Sequence, residues 1–116
     1  MTNEFKKSSN GFLNEELYYA IADGDINKIS HTINKDNVND KYENGWTPLM
    51  VACICGNIEI VKLLLACEGI QVNVTNENGW TPLMVACKSG HIEFVKLLLA
   101  CEGIQVNDMN SLTRKQ

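Results

Sequence analysis

Five cysteines and two histidines are spread through 116 residues, and they are the side chains with which this chain could hold a metal or act as a nucleophile. Cys53-x-Cys55 is the tightest pair. Residues two apart on a helix point to different sides, and no second Cys/His pair follows at zinc-finger spacing. Cys53 and Cys87 lie thirty-four positions apart, as do Cys67 and Cys101. Equivalent atoms in adjacent packed helices are separated by roughly 8–10 Å, beyond disulfide reach. The expectation is free packing thiols in a reducing compartment, and the rival is an enzyme built on a thiol of depressed pKa. His31 falls on a polar stretch. His91 has Asn57 as its counterpart thirty-four residues earlier, so polarity rather than imidazole chemistry is what that position calls for. No Gly-rich phosphate loop, nucleophile elbow or paired-acid constellation occurs, so neither catalysis, nor a metal, nor a cofactor is expected.

The cysteines are copies because the chain is. "ENGWTPLMVAC" stands at residues 43–53 and again, unchanged, at 77–87. Sliding 43–76 onto 77–110 leaves six mismatches: Ile54/Lys88, Cys55/Ser89, Asn57/His91, Ile60/Phe94, Val74/Asp108 and Thr75/Met109. A fixed period of this size marks a stacked repeat array.

Within one unit the signals order themselves. Asn78-Gly79 offers the positive φ angles of a tight hairpin. Thr81 is placed to cap a helix that Pro82 opens, where a missing N–H costs nothing. Leu83, Ala86 and Cys87 share one face, and Gly90 stops the helix. A second helix is predicted from about His91 to Ala100, with a stripe of Ile92, Val95, Leu98 and Leu99 widened by Phe94 and Leu97. Such a helix must be covered on several sides. Glu59 with Lys62, and Glu93 with Lys96, form a solvated charged face whose acids favour the helix N-termini. Each unit reads as turn, helix, helix, loop, and it needs a neighbour to bury its faces.

These residues resemble the ankyrin repeat family. The matches run from Gly45-Trp46-Thr47-Pro48-Leu49 through Ala52 and Gly56 to the "IVKLLL" run, Gly69 and Val72-Asn73. The second copy repeats them from Gly79 to Val106-Asn107. A degenerate unit precedes both: Leu17, Ala20, Ile21, Gly24, Ile26, Ile29 and Ile33 align with Leu49, Ala52, Cys53, Gly56, Ile58, Val61 and Leu65. Its polar Asn27, Lys28, Ser30 and His31 suit a solvent-facing cap. The resemblance implies an all-α repeat, an ankyrin-type solenoid of stacked helix-turn-helix units joined by β-hairpin-like loops. Residues 1–12 would be a polar leader, 13–41 the cap, 42–75 and 76–109 the full units, and 110–116 a tail. Met50 and Met84 stand where the family usually has His, and thioether packing is expected to replace its hydrogen bonding. An extra residue in "ACEG" lengthens the period from about thirty-three. Tyr42 replaces a turn Asp common in the family, whereas Asn76 is closer to it.

The net charge of −4 argues against nucleic acid and anionic membranes, and no apolar run approaches spanning length. The N-terminal stretch carries no secretory pattern, so a cytoplasmic or nuclear location is expected. The resemblance implies a protein-binding module that uses hairpin tips and inner helices. Carried over by position, the contact residues are Lys41, Glu43, Asn44, Trp46, Ile54 and Cys55 in the first full unit. In the second they are Thr75, Glu77, Asn78, Trp80, Lys88 and Ser89. Trp46 and Trp80 are either anchors for a partner or scaffold packed over a neighbouring turn. Val72-Asn73 also resembles the asparaginyl hydroxylation sites of some family members. The alternative function is assembly: the last unit keeps an interior-type face, and self-association through it would use side chains among Met84, Val85, Phe94, Leu97 and Leu98.

Overall fold

A computed structural model describes residues 12–106, with side chains from Glu16 onward; residues 1–11 of the leader expected at 1–12, and residues 107–116, including the expected tail, lie outside the described residues. Among the described residues six α-helices follow in pairs: α1 (Phe12–Asp23) with α2 (Ile26–Thr32), α3 (Pro48–Cys55) with α4 (Ile58–Leu65), and α5 (Pro82–Ser89) with α6 (Ile92–Leu99). α1, α3 and α5 pack in one row, α2, α4 and α6 in a second, and each pair closes on itself. No strand occurs among the described residues.

The helix boundaries come from local chemistry. Thr47 and Thr81 accept from the backbone N–H of Met50 and Met84 through Oγ1, at 3.4 and 3.2 Å, with Pro48 and Pro82 at the first helical positions. Gly56 and Gly90 end α3 and α5 in left-handed conformation, at φ 81° and 78°. In the cap, Asp25 Oδ1 takes the N–H of Lys28 and Leu17, Ala20, Ile21 and Ile29 are buried, while Asn27, Lys28, Ser30 and His31 are exposed. The degenerate unit therefore folds as a helix pair that keeps the apolar register inside and its polar substitutions exposed.

The two hairpin-like loops differ, and the pair of positive φ angles expected at Asn78-Gly79 is found only at Gly79. Both share a closing backbone bond, from Tyr42 N–H to the Trp46 carbonyl (2.7 Å) and from Asn76 N–H to the Trp80 carbonyl (3.0 Å). Asn44 takes φ 64° and Gly45 φ 79°, but in the second copy only Gly79 is left-handed, at φ 83°. The cause is position 76. Asn76 Oδ1 accepts from the backbone of both Asn78 (2.8 Å) and Trp80 (3.0 Å), a side-chain turn that Tyr42 cannot make.

Asparagines also fasten unit to unit. Asn39 Nδ2 donates to the Gly69 carbonyl and its Oδ1 accepts from Gln71 N–H; Asn73 repeats both bonds with Gly103 and Gln105, all at 2.8–2.9 Å. Asn73, the residue of the hydroxylation resemblance, uses both its amide nitrogen and its amide oxygen in this clasp.

The apolar face of α6 is not the predicted stripe. Phe94 and Leu98 are buried, but Ile92 and Leu99 are 63% and 49% exposed. Their copies Ile58 and Leu65 are half-buried, because α6 lies over α4. The residues that face outward at the C-terminal end are thus Ile92, Leu99 and Val106, with Val95 and Cys87 half-buried. Met84, Val85, Phe94 and Leu98 were candidates for that face and instead belong to the core, while Leu97 is half-buried.

Candidate functional site

The row α1, α3, α5 and the loops beside it carry the predicted contact residues. Lys41, Glu43, Asn44, Ile54, Cys55, Thr75, Glu77, Asn78 and Lys88 are exposed, and Trp46, Trp80 and Ser89 are half-buried. Both indoles pack against the core cluster, so each is part scaffold and part surface. The tips touch one another: Lys41 Nζ donates to the Thr75 carbonyl at 3.3 Å, and Glu77 N–H donates to the Asn44 carbonyl at 3.0 Å.

One concavity gathers five of the six first-unit residues. A cleft of about 290 Å³ between the cap and the first full unit is lined by Glu43, Asn44, Trp46, Ile54 and Cys55. Its remaining walls are Tyr18, Ala22, Tyr42 and Val51, which sequence reasoning missed. Tyr18 sits on the capping helix, whose surface role no repeat copy could reveal. Tyr42 was noticed only as a departure from a turn Asp. The rings of Tyr18 and Tyr42 meet edge to face, 5.3 Å apart at 78°. None of the second-unit contact residues reaches this cleft.

Two buried oxygens belong to Tyr42, which lines the cleft, and to Asp40, which does not. Tyr42 Oη and Asp40 Oδ2 are buried without a hydrogen-bond partner among the described residues. Burial, then the charge of Asp40, raises the Tyr42 phenol far above its usual range. Burial also pushes the Asp40 carboxyl up from 3.8 to about 6. A carboxyl whose folded pKa exceeds its unfolded value binds more protons when folded. Stability should therefore fall as pH rises from about 4 to 6. Asp40→Asn should raise the melting midpoint at pH 7 by about 3 °C, a figure discounted for partial hydration, and flatten that slope. Melts of both chains at pH 4.5 and 7 check this; an unchanged slope would show a hydrated carboxyl.

The thiols are set against nucleophilic chemistry. All five are free, and burial raises each of them, Cys53 to about 12. A reactive thiolate requires the opposite shift. Cys53 is buried while Cys55 is exposed, so the two sulfurs of the Cys-x-Cys pair face different surroundings. His91 corrects the polarity reading: Asn57 caps α4 through Oδ1, but the His91 imidazole makes no capping bond to α6. It lies over Gly56 of the preceding unit and against Phe94, with ring centroids 4.8 Å apart. Glu59, Lys62, Glu93 and Lys96 are exposed, as predicted.

Stacked helix pairs, clasped by side-chain amides and presenting a row of inner helices, define a helical repeat protein. Residues 17–110 match the family model described as ankyrin repeats, in three copies. The chain belongs to the ankyrin repeat family, whose members are generally protein–protein interaction modules. Curated relatives are named "Ankyrin repeat, SAM and basic leucine zipper domain-containing protein 1". The protein of that name from Rhinolophus ferrumequinum is 43% identical over 53 residues, that from Mus musculus 42% over 53, and that from Carollia perspicillata 38% over 53. Each match covers 45% of this chain and only 11% of the relative's length. Among the described residues no helix is long and apolar enough to cross a membrane.

Proposed function

We propose that this chain is a non-catalytic protein-binding module whose inner face, centred on the cleft between α1 and α3, receives a segment of a protein partner. The observation that carries the reading is the convergence of Glu43, Asn44, Trp46, Ile54 and Cys55 on one concavity with aromatic walls. Exposed apolar side chains beside half-buried aromatic rings supply the contact area on which binding hot spots depend. The five free thiols support a reducing compartment, cytoplasmic or nuclear.

Ile54 is 53% exposed and lines the cleft, so its replacement leaves the core intact. Peptides selected from a random library on the wild-type chain should lose at least about tenfold in affinity for Ile54→Glu. They should bind Ile92→Glu, at the far end, as before. Equal affinity for all three chains would dismiss the inner face.

A second reading, assembly, is favoured by the exposure of Ile92, Leu99 and Val106 on one end. The polar cap disfavours endless head-to-tail stacking, so a closed pairing of two C-terminal faces is the expected form. Sedimentation from micromolar to millimolar concentration should then show a dimer that Ile92→Glu abolishes, and a monomer throughout would exclude it.

A further inference from the structure

We propose that the cleft between α1 and α3 receives a cationic side chain, arginine above all, projecting from an extended partner segment. The inference rests on the inner face being a protein-binding surface and names the chemistry that this surface selects. Three aromatic rings line the cleft, those of Tyr18, Tyr42 and Trp46. Ring faces carry partial negative charge and attract cations. Glu43 is the one charged side chain among the described lining residues, and it is exposed at the loop tip.

A second carboxylate, Asp40, stands two residues before Tyr42 in the chain and outside that lining. Asp40 Oδ2 and Tyr42 Oη are buried without a hydrogen-bond partner among the described residues, so a guest meets the Tyr42 ring rather than its hydroxyl. Val51 and Ile54 supply apolar surface suited to an aliphatic stem. Arginine fits this combination best: its guanidinium is weakly hydrated, stacks on rings and offers five donors.

The second full unit is an internal comparison. At its corresponding positions Asn76 replaces Tyr42 and Lys88 replaces Ile54. Lys88 is exposed. Met50 stands where the first junction has Tyr18, so that junction loses two rings and gains a cation of its own, which repels the guest its neighbour attracts. Cation selectivity is confined to the first junction by the positions at which the units differ.

The test uses N-acetyl-arginine amide and N-acetyl-citrulline amide, which match in shape and differ in charge. Binding is read from the two tryptophan indole N–H resonances, with Trp80→Phe used only for assignment. The arginine probe should shift the Trp46 resonance saturably at millimolar concentrations and leave Trp80 unmoved. The citrulline probe should bind at least about fivefold more weakly. Glu43→Gln should bring the arginine affinity down towards that of citrulline, without altering citrulline binding or the melting midpoint. Equal affinity for the two probes, an unmoved Trp46 resonance, or equal shifts at Trp80 would overturn the inference. If library peptides nevertheless lose affinity for Ile54→Glu, the inner face stands as a protein-binding surface and only the selectivity for charge falls.

Discussion

Gly45→Val should lower the melting midpoint by more than about 12 °C, whereas Gly79→Val should cost roughly half as much. Both glycines are left-handed, at φ 79° and 83°, where a β-branched residue is strained by about 1–2 kcal/mol. The surroundings separate them. A Cβ on Gly45 would meet the backbone of the next loop, 3.1 Å from Glu77 N and 3.3 Å from Asn76 Cα, while Gly79 has nothing within 4 Å. Backbone cannot swing aside as a side-chain tip does, so the first substitution also disturbs the bond from Glu77 N–H to the Asn44 carbonyl. The combined penalty is about 3 kcal/mol or more, which for a chain of this size converts to the stated shift. Parallel circular dichroism melts decide it, and equal midpoints for the two variants would refute the close approach of the loops.

The second large effect contrasts adjacent leucines in one helix. Leu98 is fully buried and Leu99 is 49% exposed. Leu98→Ala should cost about 3 kcal/mol, through lost burial and the cavity left behind. Leu99→Ala should cost less than about 1 kcal/mol, since half of its surface already meets water. Urea titrations of the two variants measure the difference. Similar losses would mean that Leu99 is covered in solution, which would favour the assembled form.

What could be read from the sequence was whatever depends on neighbours in the chain. Thr81, Pro82 and Gly90 declare a helix through capping chemistry that acts over a few residues, and the copy at Thr47, Pro48 and Gly56 confirms the frame. The cap was legible for the same reason, with Leu17, Ala20, Ile21 and Ile29 keeping the apolar register while the outer positions turned polar. The outward side of α6 was not legible. A helix apolar nearly all round has no preferred face of its own, and only the packing of α5 and α6 decides that Leu98 goes in and Ile92 stays out. The unequal loops escaped for a related reason: the same Asn-Gly pair bends differently when the residue two positions before it is Tyr42 or Asn76. Five of six first-unit contact positions came together at the cleft, but Tyr18 and Tyr42 lie outside the repeated contact pattern, so positional transfer could not supply them.

The asparagine clasps carry a consequence for how such a chain can grow. The first full unit brings both halves of a fastener: Gly69 and Gln71 receive Asn39 from before, and Asn73 reaches forward to Gly103 and Gln105. A duplicated thirty-four-residue cassette would therefore arrive with its own plug and its own socket, and it could be inserted between existing units without altering either flank. The near-identity of 43–76 and 77–110 is what one such copying event would leave behind, and the reach of the array can be lengthened by the same step.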